Sequence, residues 1–281
     1  MADWLRTLAR RAIPRRIRNF LRAPGKTVQW WTGDLRSVVA FPVSSDCTLA
    51  CPRNALDFAF TAEFADPAQH REMDAFIGLI KGLPQIHLLD IGSHFGIFSL
   101  VAAHYGGNQA RCLAVDPSPL AGLMVRKLTA LNHFEDQIRF LHAAAGDRQG
   151  FLEMVETGMA GAGYMVLPKD HPKTDRIAVP TLTLEGIARE FGGTPTVIKI
   201  DIESFEYKVL LAAGSYLKQH SMPLCLELHH QMMRERGLDP ARLVQHLADC
   251  GYTKLLCADQ SISTAATIEH PHVRVIAFKA G

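Results

Sequence analysis

The sequence predicts an α/β fold built on a doubly wound, mostly parallel sheet, and three observations carry that prediction. From residue 86 onward, apolar strand-like runs alternate with helical patterns, as parallel βαβ units do. The run His87-Leu88-Leu89-Asp90-Ile91 leads through Gly92-Ser93-His94-Phe95-Gly96 into a helical stretch. A buried parallel strand, a glycine turn and a helix start read this way. The last two strand-like runs, 252–257 and 273–278, have no helical pattern between them and are expected to pair antiparallel at one end of the sheet.

Taken from the start, residues 1–36 differ from the rest. They hold nine bases and two acids, a net charge of +7, which leaves −5 for the remainder of a chain whose net charge is +2. Trp4, Leu5, Leu8, Ile13, Ile17, Phe20 and Leu21 recur at helical spacing, and Pro14 kinks or breaks that helix. Such a segment either packs on the domain by its apolar stripe or lies on an anionic membrane surface. Nucleic acid is not expected as a partner, because the bases are not set among aromatics that would stack nucleobases. Residues 28–43 read as a hairpin: Gln29-Trp30-Trp31 and Ser37-Val38-Val39-Ala40-Phe41 flank the turn signal Thr32-Gly33-Asp34. A short strand is expected over 55–61. Asp66-Pro67 opens a helix to about Ile80, with the acid as cap and the proline at the first helical position. Residues 1–82 therefore form an N-terminal extension, and 83–281 the main domain.

Within the main domain, strand 86–91 is followed by helix 96–105 and by strand 110–115, which ends in Asp116-Pro117. Ser118 caps a helix to 131. Strand 137–144 leads to a turn at Gly146-Asp147, a hairpin arm at 151–155, and a loop with Gly158, Gly161 and Gly163 that runs on to Arg176. Helix 183–191, strand 196–200 ending in Asp201, helix 204–217, strand 224–228 before His229-His230, and helix 240–250 complete the alternation.

A chain of 281 residues, 48% apolar and 21% charged, suits one large α/β domain and excludes disordered and fibrous classes. The six cysteines include no CxxC pair. A reducing, cytoplasmic compartment is expected, peripheral at the inner face of the membrane if residues 1–36 bind lipid. No apolar run is long enough for a membrane span and no signal peptide is expected.

In an open α/β sheet the ligand binds outside the carboxyl ends of the strands. Asp90, Asp116, Asp201 and Glu227 fall at or near such ends. Asp116 closes the second strand, where a carboxylate takes ribose hydroxyls. Gly92 and Gly96 remove Cβ atoms where the backbone turns and approaches a ligand. A dinucleotide site calls for three glycines around a pyrophosphate. Here an acid precedes the first glycine; it would repel phosphate and attract an ammonium. S-adenosylmethionine carries an amino group and a ribose but no phosphate, so it is the expected cofactor. The alternatives are an NAD-dependent oxidoreductase and a non-catalytic, membrane-associated adaptor on the same fold.

Three motifs in order, Asp90-Ile91-Gly92-Ser93-His94-Phe95-Gly96, Val115-Asp116-Pro117-Ser118-Pro119 and Ile198-Lys199-Ile200-Asp201-Ile202-Glu203-Ser204-Phe205-Glu206, resemble those of FkbM-family methyltransferases, over roughly residues 86–256. Glu227-Leu228-His229 resembles the end of that family's next strand. The resemblance implies a Rossmann-like class I methyltransferase of seven strands. It implies O-methylation of a sugar hydroxyl in a glycan, glycolipid or glycosylated metabolite. Ser93 and His94 stand where the family often has a small residue and Asn, and Ser204 where it usually has Gly. Donor contacts are expected from Asp90, Gly92, Ser93, His94, Gly96, Asp116, Pro117, Asp147 and Asp201. A hydroxyl nucleophile needs a general base. His229 has the best unperturbed pKa for that role, with Asp201 and Glu203 beside it. A rival reading sets a divalent metal among Asp201, Glu203 and His229; no metal is expected.

Overall fold

The computed structural model describes residues 37–53, 67–158, 163–165, 176–257, 260–261 and 264–280. The elements that build the site are β3 (His87–Ile91), α2 (Ile97–Gly106), β4 (Arg111–Asp116), α3 (Pro119–Leu131) and β5 (Ile138–His142). Further along the chain come β10 (Val197–Ile200), β11 (Leu224–Leu228), β12 (Tyr252–Cys257), β13 (Gln260–Ser261) and β14 (Val273–Lys279). They form one sheet in the order β13-β12-β14-β11-β10-β3-β4-β5. Five neighbouring strands, β11 to β5, run parallel. β14 is antiparallel to both β11 and β12. Seven strands thus make the expected doubly wound sheet with its antiparallel last strand, and a two-residue β13 extends the edge.

Register fixes which side chains meet. Lys199 pairs with Asp90, and Glu227 with Arg274. The sheet is buried on both faces, as parallel strands require. One face packs Leu88, Cys112 and Val197 on α2 and α3, and the other packs Leu89, Leu113 and Ile198 on later helices. Those helices begin where their caps dictate. The Ser118 hydroxyl accepts from the Ala121 amide and starts α3, with Pro119 at its first position. Thr183 does the same for α4 (Leu184–Phe191).

Ahead of the sheet, β1 (Val38–Ser44) pairs with β2 (Cys47–Pro52), and α1 (Pro67–Lys81) follows. Phe41, Leu49, Met73, Phe76 and Ile80 share one core with Leu88, Phe98 and Val101, so this part of the extension is packed on the main domain. The run expected as the second hairpin arm is β1, and it pairs forward with β2 in the register Val38 to Pro52 through Ser44 to Cys47. Residues 29–31, the basic segment 1–36, the strand expected over 55–61 and the cap Asp66 lie outside the described residues.

Two further differences have physical causes. Strand 137–144 stops at His142, because β6 (Ala144–Ala145) leaves to pair with Thr181-Leu182. A second sheet results, in the order β6-β9-β7-β8, from β7 (Gly150–Gly158), β8 (Gly163–Met165) and β9 (Arg176–Leu182). β9 escapes a sequence reading because it contains Pro180. That proline is tolerated because β6 is too short to pair with it, which leaves its amide side on an edge. The helix expected over 204–217 is two, α5 (Glu206–Ala212) and α6 (Gly214–Gln219). Its start is delayed because Glu203 and Ser204 adopt left-handed backbone, φ 56° and 74°.

Candidate active site

A cleft of about 220 Å³ opens at the carboxyl ends of β3, β4, β10 and β11. Gly92 and Gly96 have φ of 78° and 76°, which only glycine adopts without strain. The turn they form points Ser93, His94 and Phe95 into the cleft. The Ser93 hydroxyl is buried and has no hydrogen-bond partner. His94 also holds a left-handed backbone, φ 48°, fixed because its amide donates to Asp116 Oδ2 at 2.9 Å. The other oxygen, Oδ1, accepts from the Ser118 amide at 2.8 Å. Asp116 thus joins the glycine turn to the start of α3. Burial pushes its carboxyl above the ordinary value, although these amides and His94 oppose the shift.

Asp90 lines the floor. Its Oδ2 accepts from the Ser99 hydroxyl (2.7 Å) and amide (3.2 Å), and burial lifts its pKa to about 6. Part of its role is therefore to hold the first turn of α2. Pro117 lines the wall beside Asp116, and Ala143, Ala145, Leu152 and Met154 form the apolar side opposite. The second sheet contributes that side through β6 and β7. Sequence reasoning missed Leu152 and Met154, because an alternating apolar run does not reveal which face meets a ligand. Asp147, expected among the donor contacts, lies in an exposed turn and does not line the cleft.

At the other end stand Asp201, Glu203, Lys199, Glu227 and Arg274. Buried Lys199 places Nζ 2.9 Å from Glu72, 3.7 Å from Glu227 and 3.8 Å from Asp201. Burial works against its charge, yet these three carboxylates hold the ammonium well above its usual pKa. Glu227 also meets His272 at 2.6 Å and Arg274 at 2.7 Å. Burial would raise Glu227, but His272, Lys199 and Arg274 win and keep it ionised, well below the usual carboxylate range. Asp201 moves the other way: burial and the Glu227 charge raise it well above its ordinary value, and it hydrogen-bonds to Glu227.

His229 does not line the cleft. It stands behind the wall, 11% exposed, with Nε2 3.7 Å from Glu203 and 3.9 Å from Asp201. Its Nδ1 is 3.3 Å from Glu206 Oε1, and its ring stacks on His272 at 4.7 Å. Burial disfavours its cation, but Glu206, Glu203 and Glu227 outweigh that and raise its pKa. Lys199, Glu72, Arg274 and His272 were not singled out from sequence. Strand pairing brings Lys199 and Arg274 here, and ion pairs bring Glu72 and His272 to them and to Glu227. Asp201, Glu206 and His229 bring one donor atom each within 4.8 Å of one another, as do Glu227, His229 and His272. The metal reading of Asp201, Glu203 and His229 thus acquires different partners.

The profile of the methyltransferase FkbM domain matches residues 90–254, well over half of the chain. The chain belongs to the FkbM methyltransferase family. Its fold is the class I methyltransferase fold, and the family assignment displaces the NAD-dependent oxidoreductase reading. No curated protein sequence matches. Among solved structures it is similar to the methyltransferase FkbM from Methylobacillus flagellatus KT, at 14% identity and TM-score 0.45, covering 80% of this chain and 59% of that one. It therefore spans about three-fifths of that relative. A tRNA (uracil-54, C5)-methyltransferase of Pyrococcus abyssi, in complex with S-adenosyl-L-homocysteine, aligns at 10% identity and TM-score 0.45, over 87% of this chain and 45% of that one. M. jannaschii TYW2, in complex with AdoMet, aligns at 14% identity and TM-score 0.43, over 86% and 87%.

Proposed function

We propose that this methyltransferase moves the methyl group of S-adenosylmethionine to a hydroxyl oxygen of a saccharide, carried on a glycan, glycolipid or glycosylated metabolite. The observation that carries the reading is the division of one cleft into two ends. The first end fits the donor. Asp116 offers a fixed carboxylate for ribose hydroxyls, Asp90 favours an ammonium, and Ser93 presents an unpartnered hydroxyl. Ala143, Ala145, Leu152 and Met154 give an apolar face for an adenine. When bound, the donor supplies an electrophilic methyl group on sulfur.

The second end fits an acceptor hydroxyl. Asp201 and Glu203 line it and are placed to orient that hydroxyl; positioning supplies much of the rate in such transfers. The general base is His229, raised in pKa by its carboxylate neighbours, and Glu203 of the wall, 3.7 Å from its Nε2, relays the hydroxyl proton to it. Glu206 and His272 hold His229 in that orientation. Residues 1–36 are proposed to bring this end to an anionic membrane surface at the cytoplasmic face. No helix among the described residues is long and apolar enough to cross a membrane.

Calorimetric titration with S-adenosylhomocysteine and with NAD tests the donor. The homocysteine analogue is expected to bind and NAD is not. Binding of neither would favour the adaptor reading. Labelled donor offered with a saccharide library tests the acceptor. Label in a nitrogen, carbon or non-saccharide product, with none on a sugar oxygen, would overturn the hydroxyl assignment.

A further inference from the structure

Beside the donor cleft lies a second cavity of about 220 Å³, between α1 and the β11-β14-β12 end of the sheet. Its interior is apolar: Ala75 and Phe76 from α1, Cys225 from β11, Leu256 from β12, and Val275 and Ile276 from β14. Phe98 and Arg274 line both cavities, so a single partition separates this space from the end where Asp201 and Glu203 stand.

The polar wall of the second cavity is basic. It carries Arg71, His270, His272 and Arg274 against the single acid Glu72. That acid is already balanced, with one oxygen 2.9 Å from Lys199 and the other 3.0 Å from Arg274. His272 and Arg274 both turn to Glu227. Arg71 remains exposed, with no ion pair among the described residues, one residue before Glu72 on the same helix.

We infer that this cavity receives an apolar group of the methyl acceptor and that Arg71 binds an anionic group beside it. The inference rests on the methyl-transfer reading and narrows its acceptor to an amphipathic, negatively charged molecule. A bare saccharide leaves the apolar interior unmatched, since apolar pockets with few polar groups take apolar bodies. The unpaired guanidinium at the rim matches a phosphate or a carboxylate, which it binds through paired N–H donors. The shared partition at Phe98 and Arg274 sets that body next to the wall where the hydroxyl is handled. A phosphate-linked lipid and a carboxylate-bearing aglycone offer the same chemistry.

Full-length protein titrated calorimetrically with hexyl phosphate, with hexanoate and with hexan-1-ol tests the inference. At least one anion is expected to bind at a single site, roughly tenfold or more tighter than the alcohol, as a charged hydrogen bond supplies. The tighter anion identifies the source. Arg71→Glu is expected to remove that preference and leave alcohol binding unchanged. Ala75→Trp, which fills the cavity, is expected to remove both. S-adenosylhomocysteine binding reports folding of each variant. Equal binding of anion and alcohol, no binding by the wild type, or anion binding untouched in folded Arg71→Glu and Ala75→Trp would overturn the assignment. No S-adenosylhomocysteine binding by a wild type that still prefers the anion would strike the methyl-transfer reading, and with it the acceptor assignment, while upholding the cavity and Arg71 as an anion-selective apolar site.

Discussion

A Cβ atom on Gly92 would stand 1.8 Å from the carbonyl oxygen of Asp201. The glycine turn after β3 and the cleft wall after β10 therefore touch backbone to backbone. The Asp201 amide donates to the Ile91 carbonyl at 3.0 Å, which locks the approach. Gly92 is thus required twice, for its φ of 78° and for the absence of a side chain. Nothing soft is available to move, because the obstructing atom belongs to the backbone.

Gly92→Ala is accordingly expected to cost roughly 2–5 kcal/mol. That combines about 1–2 for a left-handed alanine with about 1–3 for an overpacked buried site. Chemical denaturation of the variant beside the wild type measures it. A variant within about 0.5 kcal/mol of wild type would mean that the two strand ends separate freely.

Asp116→Ala is expected to weaken S-adenosylhomocysteine binding by about 1.5–3 kcal/mol, the range for hydrogen bonds to a charged group. The geometry adds a second consequence. Both carboxylate oxygens are engaged by backbone amides, His94 on one side and Ser118 on the other. Their loss frees the glycine turn, so the melting temperature of the unliganded protein is expected to fall as well. Unchanged affinity in a folded variant, measured by calorimetry, would remove Asp116 from the donor site.

Much of this was legible in the sequence, and the exceptions share a cause. Strand 224–228 and the Ser118 cap are local features, set by apolar patterning and hydrogen-bonding chemistry within a few residues. The acids at strand ends were legible too, because the sheet's topology places them. Ser204 stood out as a residue where glycine is usual, and its φ of 74° shows what glycine would relieve. What was not legible depends on contacts across the chain. Lys199 reads as a strand lysine; only packing shows it buried among Glu72, Asp201 and Glu227. His229 lies at the expected strand end, yet its environment puts it behind the wall, because Glu206 one helix earlier draws its ring inward. β9 was hidden because its proline is permitted only by a partner strand two residues long.

As the proposed general base, His229 sets the expected pH dependence. Its carboxylate neighbours raise its pKa above the ordinary 6.5, and a general base must be neutral. Turnover is therefore expected to rise with pH, with a midpoint above 6.5. Stability runs in the opposite sense. The folded protein favours the imidazolium, so this contribution is complete below 6.5 and is lost as pH rises through the elevated folded value. His229→Ala is expected to lower turnover by about 10²–10⁴-fold with little change in donor affinity, and to flatten the profile. An Ala variant that keeps near-normal turnover and the same profile, while Asp201→Asn is inactive, would move the base role to the carboxylate.

The segregated charge of the first 36 residues leads to the last prediction. A helix interrupted at Pro14 is marginal in water on its own. An anionic lipid surface is proposed to order it by burying Trp4, Leu8, Ile17 and Phe20 while the arginines meet headgroups. Each base close to such a surface contributes roughly 1 kcal/mol, screened within a Debye length. With a net charge of +7 in this segment, binding is expected at low salt and is expected to weaken steeply as salt is added. The full chain should co-sediment with vesicles containing phosphatidylserine, and a chain beginning at Thr27 should not. Equal sedimentation of the two, or binding that persists at high salt and on neutral vesicles, would leave the segment as packing for the domain. An acceptor held at that surface would then have to reach the cleft by another route.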